Sequence, residues 1–279
     1  MATKILMLQG TMSNVGKTFL TAGFCRVFSE LGYKVSPFKA QNLSDKSAVL
    51  EDGTHIGVGQ AVQARAAGIK PTSYMNPFLL KANADDTFSA YLHGRLLDKE
   101  ESAYYFSNRK ALMDEILKDF KELAKQYDLI IIEGAGCPAE PNLQENDIAN
   151  MGFARTVGAP VLLVGDIERG GVFASLSGTV ELLSPEDRKL VKGFIINKFD
   201  GDIKYLSPAP EILKQKTGLS LLGVISKLNV CLEEEDISFS YTQDSEIKTE
   251  EASFKIIADE IRKNINIYDI LALFNEYSF

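Results

Sequence analysis

The sequence predicts an α/β fold, a mostly parallel sheet with helices on both faces, and three observations carry that prediction. Short apolar runs alternate with helix-period segments along the first three quarters of the chain, the pattern of strand–helix–strand units. The runs are unbroken and rich in β-branched residues, as expected for strands covered on both sides. A glycine-rich loop ending in Gly16-Lys17-Thr18 follows the first run directly and opens a helical segment.

In chain order, Ile5–Leu8, Lys34–Phe38, Leu129–Ile132, Pro160–Val164, Gly193–Ile196 and Leu221–Ile225 predict strands. Helices are predicted over Gly16–Leu31, Gly57–Ala67, Arg109–Gln126, Ile148–Val157, Val172–Leu183 and Glu211–Thr217. The turns after Leu8, Ile132, Val164 and Ile196 then share the carboxyl edge of the sheet, where ligands bind in open α/β folds. Beyond residue 228 the acidic run Glu233–Asp236 and the Ser/Thr/Glu stretch to Ser253 predict a solvated linker. Ile256–Phe274 restores helical spacing and is expected to pack back. The expected organisation is a nucleotide-binding unit over 1–228 and an extension over 229–279.

The 279 residues carry a net charge of −8, with 45% hydrophobic and 24% charged residues, which is globular rather than disordered composition. The acidic balance argues against nucleic acid or an anionic membrane as partner. Cys25, Cys137 and Cys231 are isolated and odd in number, which predicts neither a disulfide framework nor a Cys-x-x-Cys metal site. With no signal-peptide pattern and no apolar run near the ~20 residues that span a bilayer, a cytoplasmic location is expected.

Five residues separate Gly10 from Gly16 in the loop Gly10–Thr18, one more than the usual phosphate-binding spacing. The glycines let backbone N–H groups turn inward, the helix N-terminus adds partial positive charge, Lys17 reaches phosphate, and the Thr18 hydroxyl suits Mg²⁺. Leu129–Ile132 delivers Glu133 to the same edge, followed by Gly134-Ala135-Gly136, and makes it a candidate metal-site acid. Asp166 and Arg169, in Val164–Gly171, are equally readable as substrate contacts or as a pair at a turn. Asn197 offers both halves of an amide to a purine edge but is also a common turn former. His55 and His93 stand apart from any zinc-ligand spacing, and Cys137 has no histidine near it in sequence.

Longer strings are similar to one family. The Gly10–Thr18 loop resembles that of dethiobiotin synthetase and the cobyrinate and cobyrate amide synthases. Gln9–Thr18, Pro37–Asn42, Glu51–Gly53, Gln60–Gln63, Met75–Lys81, Glu133–Gly136, Glu145–Gly152, Val164–Ser175 and Gly193–Asp202 together resemble the ATP-dependent synthetase domain of the cobyric acid synthase family. The resemblance implies a P-loop, dethiobiotin synthetase-like fold using ATP and Mg²⁺. It also implies amidation of side-chain carboxylates of cobyrinic acid a,c-diamide through an acyl phosphate that ammonia displaces.

By motif, Lys17, Glu133, Asp52 and Asp166 are implied as catalytic, and Thr18, Asp52 and Glu133 as metal ligands. Gly10, Thr11, Asn14, Val15, Gly16, Lys17, Thr18, Phe19 and Asn197 are implied to hold the nucleotide. Lys39, Gln41, Asn42, Lys81, Asn146, Asp147, Asn150 and Arg169 are implied to face a polycarboxylate substrate.

The chain departs from the family in two ways. Family members usually carry a glutamine amidotransferase domain; both histidines here lie in the first third, so ammonia is expected free or from a separate glutaminase subunit. His55 and Arg65 stand where the family usually has acids, which leaves room for a different carboxylate acceptor. A nucleotide-dependent switch that modifies no small molecule is a third reading, disfavoured by the Lys39–Asn42 and Glu145–Gly152 strings. Dimer contacts near the site are expected by analogy alone.

Overall fold

Strand β1 (Lys4–Gly10) sends Ile5 and Met7 to one side and Leu6 and Leu8 to the other, and all four are fully buried. That is the physical meaning of an unbroken apolar run: both sides of the strand need a helical layer. In this computed structural model, which describes residues 2–85, 87–142, 147–230, 232, 249–277 and 279, both layers are present.

β1 lies inside a six-stranded, all-parallel sheet with β2 (Val35–Phe38), β9 (Leu129–Glu133), β10 (Val161–Asp166), β11 (Val191–Phe199) and β12 (Leu221–Ser226). The order is β12-β11-β10-β1-β9-β2. These six are the strands predicted from sequence. After β1 the chain runs outward to β2, returns to β9, and crosses to β10, so the topological switch point falls beside β1 and its glycine-rich loop.

One side of the sheet packs on α1 (Lys17–Glu30), α2 (Val58–Ala66), α9 (Glu250–Asn264) and α10 (Ile267–Glu276), in a core that includes Leu6, Leu8, Phe24, Phe28, Ile257 and Phe274. The other side packs on α4 (Arg109–Ala124), α5 (Met151–Val157), α6 (Val172–Leu182) and α8 (Ala209–Thr217), around Met7, Phe38, Phe120, Phe153 and Leu176.

The structure differs from the sequence expectation in several places. Between residues 41 and 96 it adds a four-stranded sheet, β3 (Gln41–Ser44), β6 (Phe78–Ala82), β7 (Phe88–Leu92) and β8 (Arg95–Leu96), and a hairpin, β4 (Ser47–Val49) with β5 (His55–Gly57). These strands are short and mix polar with apolar residues, so they carry neither periodic signature strongly. Helices α3 (Lys99–Ser107) and α7 (Pro185–Leu190) also went unpredicted; the first has a capping box from Asp98 and Glu101, yet buries none of its side chains.

Helix α5 starts at Met151 rather than Ile148, because Asp147 accepts from the backbone N–H of Ala149, Asn150 and Gly152 and holds a turn there. The Ser/Thr/Glu stretch enters helix α9 at Glu250, where the Thr249 hydroxyl accepts from the Ala252 N–H. Ile256–Phe274 breaks into two helices at Ile265–Asn266, and the Asn266 side chain caps the second. The acidic run Glu233–Asp236 and Cys231 lie outside the described residues.

The extension grips the helix that follows the loop. A Cβ on Gly23 of α1 would meet Ile261 Cδ1 at 2.4 Å and Ile257 Cγ2 at 2.5 Å of α9. Arg26 of α1 pairs with Glu251, and Arg65 of α2 makes a two-pronged pair with Glu250 at 2.7 and 2.8 Å. Among the described residues no helix is long and apolar enough to cross a membrane.

Candidate nucleotide and metal site

The loop between β1 and α1 is closely built. A Cβ on Gly10 would lie 2.7 Å from Val15 Cγ2 and 2.9 Å from Lys17 Nζ, so only glycine leaves this cradle open. Gly16 has φ +92°, a left-handed backbone, and a Cβ there would come within 2.2 Å of Asn197 Nδ2. Lys17 folds back over the loop, its Nζ donating to the carbonyls of Met12 at 3.1 Å and Gly136 at 3.2 Å. Val15 is fully buried, Thr18 and Phe19 are half-buried, and Asn14 is exposed with φ +61°. The Thr11 hydroxyl is buried in the same loop with no hydrogen-bond partner among the described residues.

Glu133, 1% exposed at the end of β9, is the centre of the site. Its Oε1 accepts from Lys39 Nζ at 2.8 Å and from the Thr18 hydroxyl at 3.0 Å. Its Oε2 accepts from Gln63 Nε2 at 2.5 Å and Gln60 Nε2 at 3.4 Å, both on α2. Burial favours the neutral carboxyl, but the charges of Lys39 and Lys17 and the Gln63 amide outweigh it and hold Glu133 below the ordinary carboxylate range. The ionised acid beside a threonine hydroxyl is a hard oxygen donor set of the kind Mg²⁺ takes.

The structure also shows what positions this cluster. Asn76 donates to the Lys39 carbonyl at 3.0 Å and accepts from the Gly57 N–H at 3.0 Å, tying β2's exit to the start of α2. Asn42 Nδ2 donates to Gln60 Oε1 at 3.2 Å. Gln60, Gln63 and Asn76 were not singled out from sequence as site residues. The available signal was two glutamines three apart on an otherwise Ala/Val helix face, where a buried amide needs a partner.

Several expected ligand contacts have their polar atoms engaged by the chain itself. Asn197 is 3% exposed and donates Nδ2 to the Val15 carbonyl at 2.9 Å, so this half of its amide braces the loop rather than facing a base. Lys198 Nζ reaches the Asn14 carbonyl at 2.7 Å and Asp166 Oδ2 at 2.7 Å. Asp166 accepts from the Glu168 N–H through its other oxygen, so it orients Lys198 and a turn and makes no contact with Glu133. Asn150 bridges Ala135, accepting from its N–H at 3.0 Å and donating to its carbonyl at 2.5 Å, which fixes the turn after Glu133. Asp147 is engaged at the start of α5, Arg169 is exposed in the turn after β10, and Asn146 lies outside the described residues.

The structure does not bring Asp52 to the Glu133 cluster. It sits exposed at the tip of the β4–β5 hairpin, where its carboxylate accepts from the Thr54 N–H and hydroxyl, the hydroxyl being the leading cause of its lowered pKa. A self-contained turn of this kind is what an Asp two residues before Thr builds locally. Arg65 likewise belongs to the α9 contact rather than to a substrate side. His55 stacks on Tyr91 with ring centroids 4.6 Å apart and has Nδ1 3.0 Å from the Ser47 hydroxyl. Burial, and after it the charge of Lys81 on β6, push its pKa down. Gln41 and Lys81 are half-buried on the strands of the small sheet.

A glycine-rich loop cradled at the switch point, with its lysine, its threonine and a strand-end acid converging, defines a P-loop nucleotide-binding protein. Residues 6–236 match the family described as CobQ/CobB/MinD/ParA nucleotide binding domain, and the chain belongs to it. It is 51% identical over 231 residues to "Cobyric acid synthase" of Caldanaerobacter subterraneus subsp. tengcongensis, covering 83% of this chain and 46% of that protein. It is 44% identical over 273 residues to "Cobyric acid synthase" of Vibrio vulnificus, covering 97% of this chain and 56% of that protein. The chain thus spans about half the length of the curated relatives it matches.

Proposed function

We propose that the chain is the ATP- and Mg²⁺-dependent amide-ligating unit of a cobyric acid synthase-like enzyme. Side-chain carboxylates of cobyrinic acid a,c-diamide or a closely related corrinoid are phosphorylated by ATP, and ammonia then displaces phosphate to give the amide. The observation that carries this reading is the convergence of Thr18, Lys17 and Lys39 on an ionised, buried Glu133 at the end of β9, beside the P-loop. The long similarity to proteins named cobyric acid synthase supports the corrinoid as acceptor.

The residues fit nucleotide and metal. Gly10 keeps open a cradle that a Cβ would fill, and the Glu133/Thr18 pair offers hard oxygen donors. When bound, Mg²⁺ neutralises phosphate charge as phosphoryl transfer proceeds. The chain would supply positioning and charge: Lys17, held over the loop by the Met12 and Gly136 carbonyls, would offer its ammonium to phosphate, and the α1 N-terminus would offer backbone N–H groups. Asn197 and Lys198 hold the loop from below. Gln60 and Gln63 fix the plane of the Glu133 carboxylate. No protein nucleophile is required; Cys25 is buried, and that burial pushes its thiol pKa upward, away from thiolate reactivity. Ammonia enters free or from a glutaminase, and the location is cytoplasmic on this reading.

The test is phosphate release from ATP with Mg²⁺ and ammonium, with and without cobyrinic acid a,c-diamide, while the corrinoid mass is followed. Corrinoid-dependent phosphate release with stepwise replacement of carboxyl OH by NH₂ is expected; ATP hydrolysis indifferent to the corrinoid would reject this acceptor. A different carboxylate acceptor is the second reading. It is favoured by His55, whose imidazole lies with Tyr91 and Lys81 where the family usually has an acid.

A further inference from the structure

The buried pair at the centre of the site has a feature that a purely structural salt bridge does not need. Lys39 Nζ and the Thr18 hydroxyl converge on the same oxygen, Glu133 Oε1, at 2.8 and 3.0 Å. The other oxygen is held by two neutral amides, Gln63 and Gln60, which orient the carboxylate and add no charge. The ammonium therefore sits on the side of Glu133 that a cation shared with Thr18 would use. Its backbone is anchored, the Lys39 N–H donating to the Met75 carbonyl at 2.8 Å and its carbonyl accepting from Asn76 at 3.0 Å. The side chain alone, with its flexible four-carbon stem, can leave without moving the strand exit.

We propose that Lys39 is an exchangeable stand-in for the metal: its ammonium balances Glu133 whenever no metal is bound, and divalent cation and lysine replace one another on Oε1. The proposal deepens the reading of this cleft as a Mg²⁺–nucleotide site and rests on that part of it. With Lys39 on Oε1 and Lys17 also near Glu133, a free divalent cation approaching this oxygen meets two like charges. A metal arriving with a triphosphate brings enough negative charge to reverse that repulsion, so metal and nucleotide load together. The displaced Lys39 ammonium becomes a second cation facing the transferred phosphate. The order of loading is thus set by a lysine rather than by a moving lid.

The experiment is a titration of the full chain with Mn²⁺ alone, without nucleotide or corrinoid, read by the electron paramagnetic resonance of free Mn²⁺, with folding followed by circular dichroism. K39M removes the competing charge from Glu133 Oε1; it is expected to bind Mn²⁺ about tenfold or more tightly than the unaltered chain. K39R keeps the cation and is expected to bind as weakly as the unaltered chain. The double variant K39M/E133Q removes the carboxylate together with the competing ammonium and is expected to lose the gain. If K39M unfolds in chelator, folding driven by Mn²⁺ is the supporting result. A folded K39M that binds no more tightly than the unaltered chain, or a K39M chain that stays unfolded at saturating Mn²⁺, overturns the proposal. Because the titration contains neither ATP nor acceptor, its failure is separable from failure of the amide-ligase reading.

Discussion

The P-loop side of this cleft and the side proposed to take the acceptor are built differently. Around the P-loop, Asn197, Lys198, Lys17, Thr18 and Glu133 are buried or half-buried and joined to one another or to backbone across four strands. On the small sheet and hairpin, Asp52 is exposed in its own turn, Gln41 and Lys81 are half-buried, and Leu43, Val49 and Phe88 are open to solvent. Phosphoryl transfer rewards a frame already in position, because any adjustment during the reaction costs rate. A surface proposed to take a large polycarboxylate can be completed by the ligand itself. Substitutions should therefore be felt sharply on the first side and mildly on the second.

The largest effect is expected at Lys17. K17M removes the phosphate-facing charge and should lower ATP turnover by about 100-fold or more while leaving circular dichroism unchanged; a loss within a few fold would mean the loop is not the phosphate site. Next is E133Q, which removes the negative charge 2.8 Å from the buried Lys39 ammonium. It should cost about 3–5 kcal/mol in denaturant unfolding and abolish the Mg²⁺ dependence of nucleotide binding. G16A meets both the left-handed backbone and Asn197, and about 1–3 kcal/mol of destabilisation is expected, measured as a shift in the urea midpoint.

A pH profile sharpens the same contrast at the outer sheet. His93, in the β7–β8 turn, bonds through Nδ1 to Asp119 at 2.7 Å and through Nε2 to Glu115 at 3.2 Å, and the Asp119 hydrogen bond leads the rise in its pKa against burial. A raised folded-state pKa means stability that is complete below the unfolded value near 6.5 and lost as pH climbs through the folded one. The melting temperature of the unaltered chain should therefore exceed that of H93N most at mildly acid pH, with the gap closing in alkali; Asn keeps the positive φ of this turn accessible. The smallest effect belongs to the part-exposed Arg65–Glu250 pair: R65A should cost no more than about 1 kcal/mol in urea unfolding, and the exchange R65E/E250R should recover most of it.

How far these features could be read from sequence follows the same division. The six central strands, the loop, Thr18 and Glu133 were legible because a strand buried on both sides leaves an unbroken apolar run and a phosphate loop needs glycine at fixed places. The small sheet was not, since a strand as brief as Gln41–Ser44, which mixes polar with apolar residues, holds position through a partner distant in sequence, Phe78–Ala82. Within the site, residue type showed that Asn150, Asp147 and Asn197 were polar groups near the carboxyl edge. It did not show that each turns back to bond the chain. Arg65 stood out in sequence as a charge change, and the docking of α9 gives it Glu250 as a partner.

The central claim is that the carboxylate acceptor is phosphorylated before ammonia attacks. The most direct measurement supplies cobyrinic acid a,c-diamide with its side-chain carboxylates labelled with ¹⁸O, together with ATP, Mg²⁺ and ammonium, and follows the label into phosphate. The account predicts one labelled oxygen in the released phosphate for each amide formed. Amide formation with unlabelled phosphate, or ATP hydrolysis with the label retained on the corrinoid, would contradict it.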